Sequence, residues 1–384
     1  MDAMDRAGRR SGTAEGVPLV DLAAAHAEVA EAVRAGFDRV LDGTAFIGGE
    51  EVREFEREYA RFSGLAHCVG VANGTDAVEL ALRASGVRPG DEVVLPANTF
   101  IATAGAAARA GARPVLVDCL PDSYLIDPQQ ALDAVGPATR AVVPVHLYGQ
   151  CAAAAELAAR LPQRVRVVED AAQSQGASRD GRPPGRGGIA ATSFYPGKNL
   201  GAYGDAGAVL TDDAELADRV RLLANHGSRS KYLHEAAGFN SRLDALQAVV
   251  LRAKLERLAE GNAARRDAAA RYHLLLAELA EAGRVVRPVA AEGNVHVWHL
   301  YVLRVPGADR DAVVGKLNAA GLGAAVHYPV PIHRTPAFAE LGYGPGAFPH
   351  AERAAGEILS LPLFPQIRAD QQEQVVRALT EALG

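Results

Sequence analysis

The stretch ATSFYPGKNLGAYGDAGAVL, residues 191 to 210, sets one lysine, Lys198, in a tight turn between two apolar runs. Pro196, Gly197, Gly201, Gly204 and Gly207 supply turn geometry and let backbones approach closely. The flanks Phe194-Tyr195 and Ala206 to Leu210 read as buried or half-buried strands. A lysine held there loses water. Desolvation favours the neutral amine, the form that attacks a carbonyl and makes a Schiff base. The competing reading is a lysine at a hairpin tip with its head in solvent.

Upstream, short apolar runs alternate with helical patterns. VGVANGTDAVELALRAS reads as a strand, an Asn73-Gly74-Thr75 turn, and a helix with Ala77, Leu80, Ala81 and Ala84 on one face. Free N–H groups and the Thr75 hydroxyl at a helix start make an anion site, although the same residues serve as ordinary caps. GDEVVLP, RPVLVD, RAVVPVHLYG and VRVVED follow as strands. Between them lie helices after Asn98-Thr99-Phe100, near Pro128 to Val135, and in an Ala-rich run. This alternation predicts an α/β fold with βαβ crossovers and a mostly parallel, buried sheet. Ligands of such sheets bind past the C-terminal strand ends, which singles out Asn98 to Phe100, His146, Tyr148, Asp170 and Gln173.

At 384 residues the chain predicts two domains. Residues 1–16 are polar without periodicity and read as a disordered tail; they have no apolar core, so no secretory leader is expected. PLVDLAAAHAEVAEAVRAGFDRVLDG then reads as a helix capped by Asp21 and ended by Gly43, and a second helix spans about Glu50 to Phe62. Beyond the lysine turn come a helix near Asp213 to Leu223, a donor-rich loop, and a long helix carrying Leu243, Leu246, Val250 and Leu251. A boundary near 255 separates a large domain, 17–255, from a smaller α+β domain, 256–384. The latter holds a strand HVWHLYVLRV, a helix DRDAVVGKLNAAG and a final helix from Gln366 to Leu383.

A hydrophobic fraction of 49%, a charged fraction of 22% and a net charge of −6 describe an ordinary globular chain with no basic footprint for nucleic acid or an anionic membrane. No apolar run is long enough to span a bilayer. Cys68, Cys119 and Cys151 show no metal-binding spacing and suit a reducing, cytoplasmic setting. No GxGxxG follows the first parallel strand, so a dinucleotide site is not indicated.

A buried lysine, an acid at a strand end, an anion-binding helix start and an aromatic at another strand end meet the needs of pyridoxal phosphate. Lys198 would hold the cofactor as an imine and shuttle a proton, passing through pyridoxamine phosphate. Asp170 would pair with the pyridine nitrogen. Gln173 would reach the phenolic oxygen, Phe100 would stack on the ring, and Gly74, Thr75 and Ser193 would donate to the phosphate.

VANGTDAVELAL, PANTFIATA, VEDAAQSQGA, SFYPGKNLGAYGDAGAV and GFNSRLDALQAVVL resemble, in order, the motifs of the DegT/DnrJ/EryC1/StrS sugar aminotransferases, of the aspartate-aminotransferase fold (fold type I). The resemblance implies a large domain built on a seven-stranded sheet, with Lys198 as Schiff-base lysine and Asp170 as its pyridinium partner. It gives Gln173, Phe100, Gly74, Thr75 and Ser193 the cofactor contacts named above. It further implies Asn240 reaching the phosphate from a second subunit, and hence a homodimer with shared sites. Lysine at 198 argues against the family's dehydratase branch, where histidine stands there. The implied reaction moves an amino group from L-glutamate to a nucleotide diphosphate keto sugar. HLYGQ, HGSRSKYLHE and VHYPVPIH look most like enzymes aminating C-3 of dTDP-3-keto-6-deoxyhexoses; Arg334-Thr335 and the longer N-terminus depart from that pattern. Arg229, Lys231, His234 and Arg242 are candidate diphosphate contacts, and Tyr148, His327 and Tyr328 candidate sugar contacts. The alternatives are a 4-keto sugar or keto-cyclitol aminotransferase, and a non-catalytic regulator that binds the cofactor or a nucleotide sugar.

Overall fold

The computed structural model describes residues 16–384, so all but the last residue of the expected tail lies outside the described range. The strands are β1 (His67–Val71), β2 (Glu92–Pro96), β3 (Arg113–Val117), β4 (Thr139–Val142), β5 (Arg166–Asp170), β6 (Ser178–Arg179), β7 (Ile189–Ser193), β8 (Gly207–Thr211), β9 (Ser228–Ser230), β10 (Leu233–His234), β11 (Asn294–Val295), β12 (Tyr301–Arg304) and β13 (Ile358–Leu361). Seven of them form the main sheet, in the order β1-β8-β7-β5-β4-β2-β3. Neighbours from β7 through β5, β4 and β2 to β3 pair in parallel, while β8 runs antiparallel to both β7 and β1. One reversed strand in seven gives the mostly parallel sheet expected for fold type I. Both faces are covered: the Gly74–Ala84 and Ile101–Arg109 helices pack their alanine-rich sides on one, and aromatic Phe55, Tyr59 and Phe194 lie in the cluster on the other.

A separate apolar cluster gathers Val17, Tyr272, Trp298, Tyr301, Leu303, Val313, Leu361, Phe364 and Leu379 around the antiparallel pair β12–β13 and the final helix Ala369–Leu383. The Ala245–Leu275 helix joins the two regions, with Leu251, Leu255 and Leu258 in the sheet-side cluster and Ala268, Ala269 and Tyr272 in the other. Residue 255 therefore falls inside a continuous helix.

Several local readings shift. The single N-terminal helix is two, Leu22–Ala27 capped by the Asp21 carboxylate and Ala30–Gly43, with Thr44 rather than Gly43 taking the left-handed position after the last turn. The strand expected over HVWHLYVLRV, residues 296–305, is an irregular stretch over 296–300 followed by β12, with the two-residue β11 just before it. Within that stretch His296 stacks on Trp298 with ring centroids 3.9 Å apart, and His296 Nδ1 accepts the Trp298 N–H, a local bond that competes with a sheet ladder. Among the described residues no helix is long and apolar enough to cross a membrane.

Candidate active site

The parallel strands deliver the candidate residues to one edge of the sheet. β1 leads to Asn73, whose side chain accepts the Asp76 N–H and starts the Gly74–Ala84 helix. β7 ends at Ser193, and a Cβ on Gly74 would lie 2.5 Å from Ser193 Cβ, so only glycine lets the two meet. The Gly74 and Thr75 N–H groups belong to the first turn, where no intrahelical acceptor exists, and they lie with the Ser193 hydroxyl at the positive end of the helix dipole. That is a cradle for an anion such as phosphate.

β5 ends at Asp170, which is buried. Its Oδ2 accepts from Thr103 Oγ1 at 2.7 Å and its Oδ1 from the Ala172 N–H at 3.1 Å. Two donors fix the orientation of this buried carboxylate. Thr103, absent from the sequence reading, sits in the first turn of the helix after Phe100, and its own hydroxyl lies 3.0 Å from Thr99 Oγ1. A Thr in the first turn of the helix that follows a strand end is the signal that could have found it.

Lys198 follows β7 in the turn that returns to β8. Its N–H donates to Tyr195 O, and Ala202 N–H donates to Phe194 O, closing the turn. A Cβ on Gly201 would stand 2.2 Å from Pro196 O. The residue lies in a crevice: it keeps some accessible surface, yet the surrounding protein desolvates the amine and lowers its pKa to about 8, with Asp170 pulling it back up. The solvated hairpin tip is thus excluded. A second amine, Lys254 on the long helix, is also brought down to about 8 by burial; it donates to Gly201 O at 2.7 Å and lies over the Tyr203 ring.

Gln173 is already engaged: its Oε1 accepts the Tyr148 N–H at 2.7 Å and its Nε2 donates to Tyr328 Oη at 3.1 Å, leaving one amide N–H. Phe100, 50% exposed, faces Tyr328 with ring centroids 5.2 Å apart. Tyr148 is buried with a left-handed φ of 61°, and its hydroxyl donates to His327 O. His327 Nδ1 lies 2.8 Å from Ser360 Oγ, and burial together with the nearby Lys198 lowers its pKa to about 4. His327 is therefore neutral at pH 7.

The loop candidates stand apart. β9 and β10 form an exposed hairpin, where Arg229 pairs with Asp218 and Glu235, Lys231 lies over the Tyr232 ring, and His234 Nδ1 is 2.9 Å from His226 O. Asn240 is exposed and bridges to Asn225, while Arg242 donates to Asn225 Oδ1. None of these bonds joins Lys198 or Asp170. A cavity of about 1280 Å³ opens at the other edge of the sheet, against Arg166, Gly188 and Asp212, and contains none of the candidate residues.

Residues 27–380 match the family model described as the DegT/DnrJ/EryC1/StrS aminotransferase family. The chain is 45% identical to a dTDP-3-amino-3,4,6-trideoxy-alpha-D-glucose transaminase of Streptomyces venezuelae, over 95% of this chain and 96% of that one. It is likewise 45% identical to a protein named pleiotropic regulatory protein in Geobacillus stearothermophilus, over 95% and 98%. The crystal structure of S. venezuelae DesV in complex with a ketimine intermediate superposes with a TM-score of 0.92 at 44% identity, covering 96% of this chain and 99% of that one. On matched length, matched fold and a desolvated lysine beside a buried aspartate, this chain belongs to the DegT/DnrJ/EryC1/StrS aminotransferase family of pyridoxal-phosphate-dependent transaminases.

Proposed function

We propose that the chain transfers an amino group from L-glutamate to a nucleotide-linked keto sugar, at C-3 of a dTDP-3-keto-6-deoxyhexose, using pyridoxal phosphate. The carrying observation is the Lys198 amine, held near a pKa of 8 at the strand edge that also bears Asp170 and the Gly74–Ser193 cradle. The residues present fit the cofactor: Gly74, Thr75 and Ser193 would hold its phosphate, Asp170 its ring nitrogen, Phe100 its ring face, and the remaining Gln173 N–H its phenolic oxygen. Bound pyridoxal phosphate supplies an electron sink for the carbanion left when a C–H bond beside the amine breaks.

The chain's own part is proton handling and orientation. With a pKa near 8, a substantial fraction of Lys198 Nζ is neutral at physiological pH and can relay the proton lost by the donor's carbon in one half-reaction and, once protonated again, deliver a proton to the sugar carbon in the other. Thr103 and the Ala172 N–H keep the Asp170 carboxylate aimed. His327 and Tyr328 border Lys198 and Gln173 and suit hydroxyl recognition on the sugar, with Tyr148 fixing His327 through its carbonyl. In the hairpin, Arg229 is neutralised by two carboxylates, so Lys231 and His234 are the better-placed diphosphate partners. The sugar assignment is supported by the name of the S. venezuelae relative. A purely regulatory role is not favoured, because a relative matched over nearly its whole length is named a transaminase and Lys198 lies beside Asp170 in this chain.

The test is an absorption spectrum of the purified protein before and after L-glutamate, together with turnover of the keto sugar. The wild type should show a cofactor band that shifts with glutamate. Lys198→Ala should lose turnover by at least about 10³-fold while keeping its circular dichroism. Near-normal turnover in that variant would sink the mechanism.

A further inference from the structure

Asn199, next to Lys198 in the chain, has every side-chain atom committed. Its Nδ2 donates to Val297 O at 3.0 Å and to Asn262 Oδ1 at 2.9 Å, and its Oδ1 lies 3.2 Å from His299 Nδ1. The orientations follow from backbone chemistry. Val297 O can only accept, so the Asn199 atom facing it is nitrogen; Asn262 Nδ2 donates to Gln175 O at 2.9 Å, so the Asn262 atom facing Asn199 is oxygen. Asn199 Oδ1 is then an acceptor, and the proton of that contact must come from His299 Nδ1. One tautomer of His299 satisfies the chain.

We infer that His299 is a positioning residue for Lys198: a neutral imidazole with its proton on Nδ1, which holds Asn199 and through it the turn that aims the lysine amine, leaving Nε2 as an acceptor. The neutral state agrees with its setting. His299 is buried, and the charged or titratable groups acting on it are Lys198, Arg265 and His327, all of which lower its pKa alongside desolvation. Asn262 and Lys254, both from the long helix, grip the same turn at Asn199 and at Gly201, so the turn is held from that helix as well as from the stretch bearing His299. This inference rests on Lys198 being the reacting amine.

Two measurements on the cofactor-free protein test it. Two-bond ¹H–¹⁵N spectra of histidine-labelled wild-type protein should show His299 protonated at Nδ1; a proton on Nε2 overturns the inference without any variant. Competitive acylation of lysines across pH, read by mass spectrometry, reports the ionisation of Lys198. His299→Asn keeps a donor where Nδ1 stood, and its Lys198 profile should stay near wild type. His299→Ala frees Asn199 and admits water, so Lys198 labelling near pH 7.5 should fall by about tenfold, one pKa unit towards an ordinary lysine. Equal profiles in wild type and both variants, or equal shifts in Asn and Ala, would show that the ring only fills space. Retained turnover in Lys198→Ala would instead remove the catalytic reading while leaving the tautomer and labelling results standing.

Discussion

Lys198 is costly to fold around while charged. Its amine carries a pKa of about 8 in the folded protein against 10.5 for an ordinary lysine, because burial penalises the cation more than Asp170 rewards it. Below pH 8 both folded and unfolded chains are protonated and the whole penalty is present. Between pH 8 and 10.5 the folded state releases its proton first, so the penalty fades and stability rises with pH across that window. In the cofactor-free protein, Lys198→Met should therefore be more stable than wild type at pH 7, on the order of 1–3 kcal/mol, and the gap should close by pH 10.5. Urea titrations of both proteins at pH 7, 9 and 10.5 check this. A gap that stays constant would mean that the amine is solvated.

At the scale of elements, the site depends on two close backbone approaches. The start of the Gly74–Ala84 helix meets the end of β7, and Gly201 folds the lysine turn back over Pro196. Gly74→Ala places a Cβ 2.5 Å from Ser193 Cβ, so helix and strand must separate. We expect a loss of about 1–3 kcal/mol in stability and about tenfold weaker cofactor retention, measured by thermal melts and by dialysis followed by absorbance. Gly86, where a Cβ meets nothing within 4 Å, also has a left-handed φ of 93°. Gly86→Ala should therefore cost stability through the backbone and leave cofactor retention unchanged. Equal retention in Gly74→Ala and wild type would remove the cradle from the phosphate assignment.

For the whole molecule, the exposed residues argue for a partner. Phe46 and Ile47 are adjacent in the chain and both more than two-fifths exposed, and the family resemblance has Asn240 crossing to a neighbouring site. If sites are shared, a mixture of Lys198→Ala and Asn240→Ala chains should regain activity. Half of the dimers are then hybrids with one intact site of two, so about a quarter of wild-type turnover is expected after unfolding and refolding equal amounts together. Activity no higher than the sum of the two separate variants would mean that each chain works alone or that Asn240 plays no part.

Much of this protein was legible in its sequence, for a physical reason. Strand–helix alternation, glycines at close approaches and polar residues at strand ends are local patterns, and a mostly parallel sheet with helical crossovers turns them into one edge where Gly74, Asp170, Ser193 and Lys198 converge. The tertiary structure alone decided the supporting shell. Thr103 on Asp170, and Asn262 and His299 on Asn199, come from segments distant in the chain, and no spacing rule links them. Arg229 suits a phosphate by residue type, and the fold of its own hairpin and the preceding helix instead pairs it with Glu235 and Asp218. In the irregular stretch before β12, a stacked histidine and tryptophan outweigh strand propensity. Residue type and local order chose the chemistry; which groups desolvate, orient and neutralise one another depends on contacts that exist only once the chain has closed on itself.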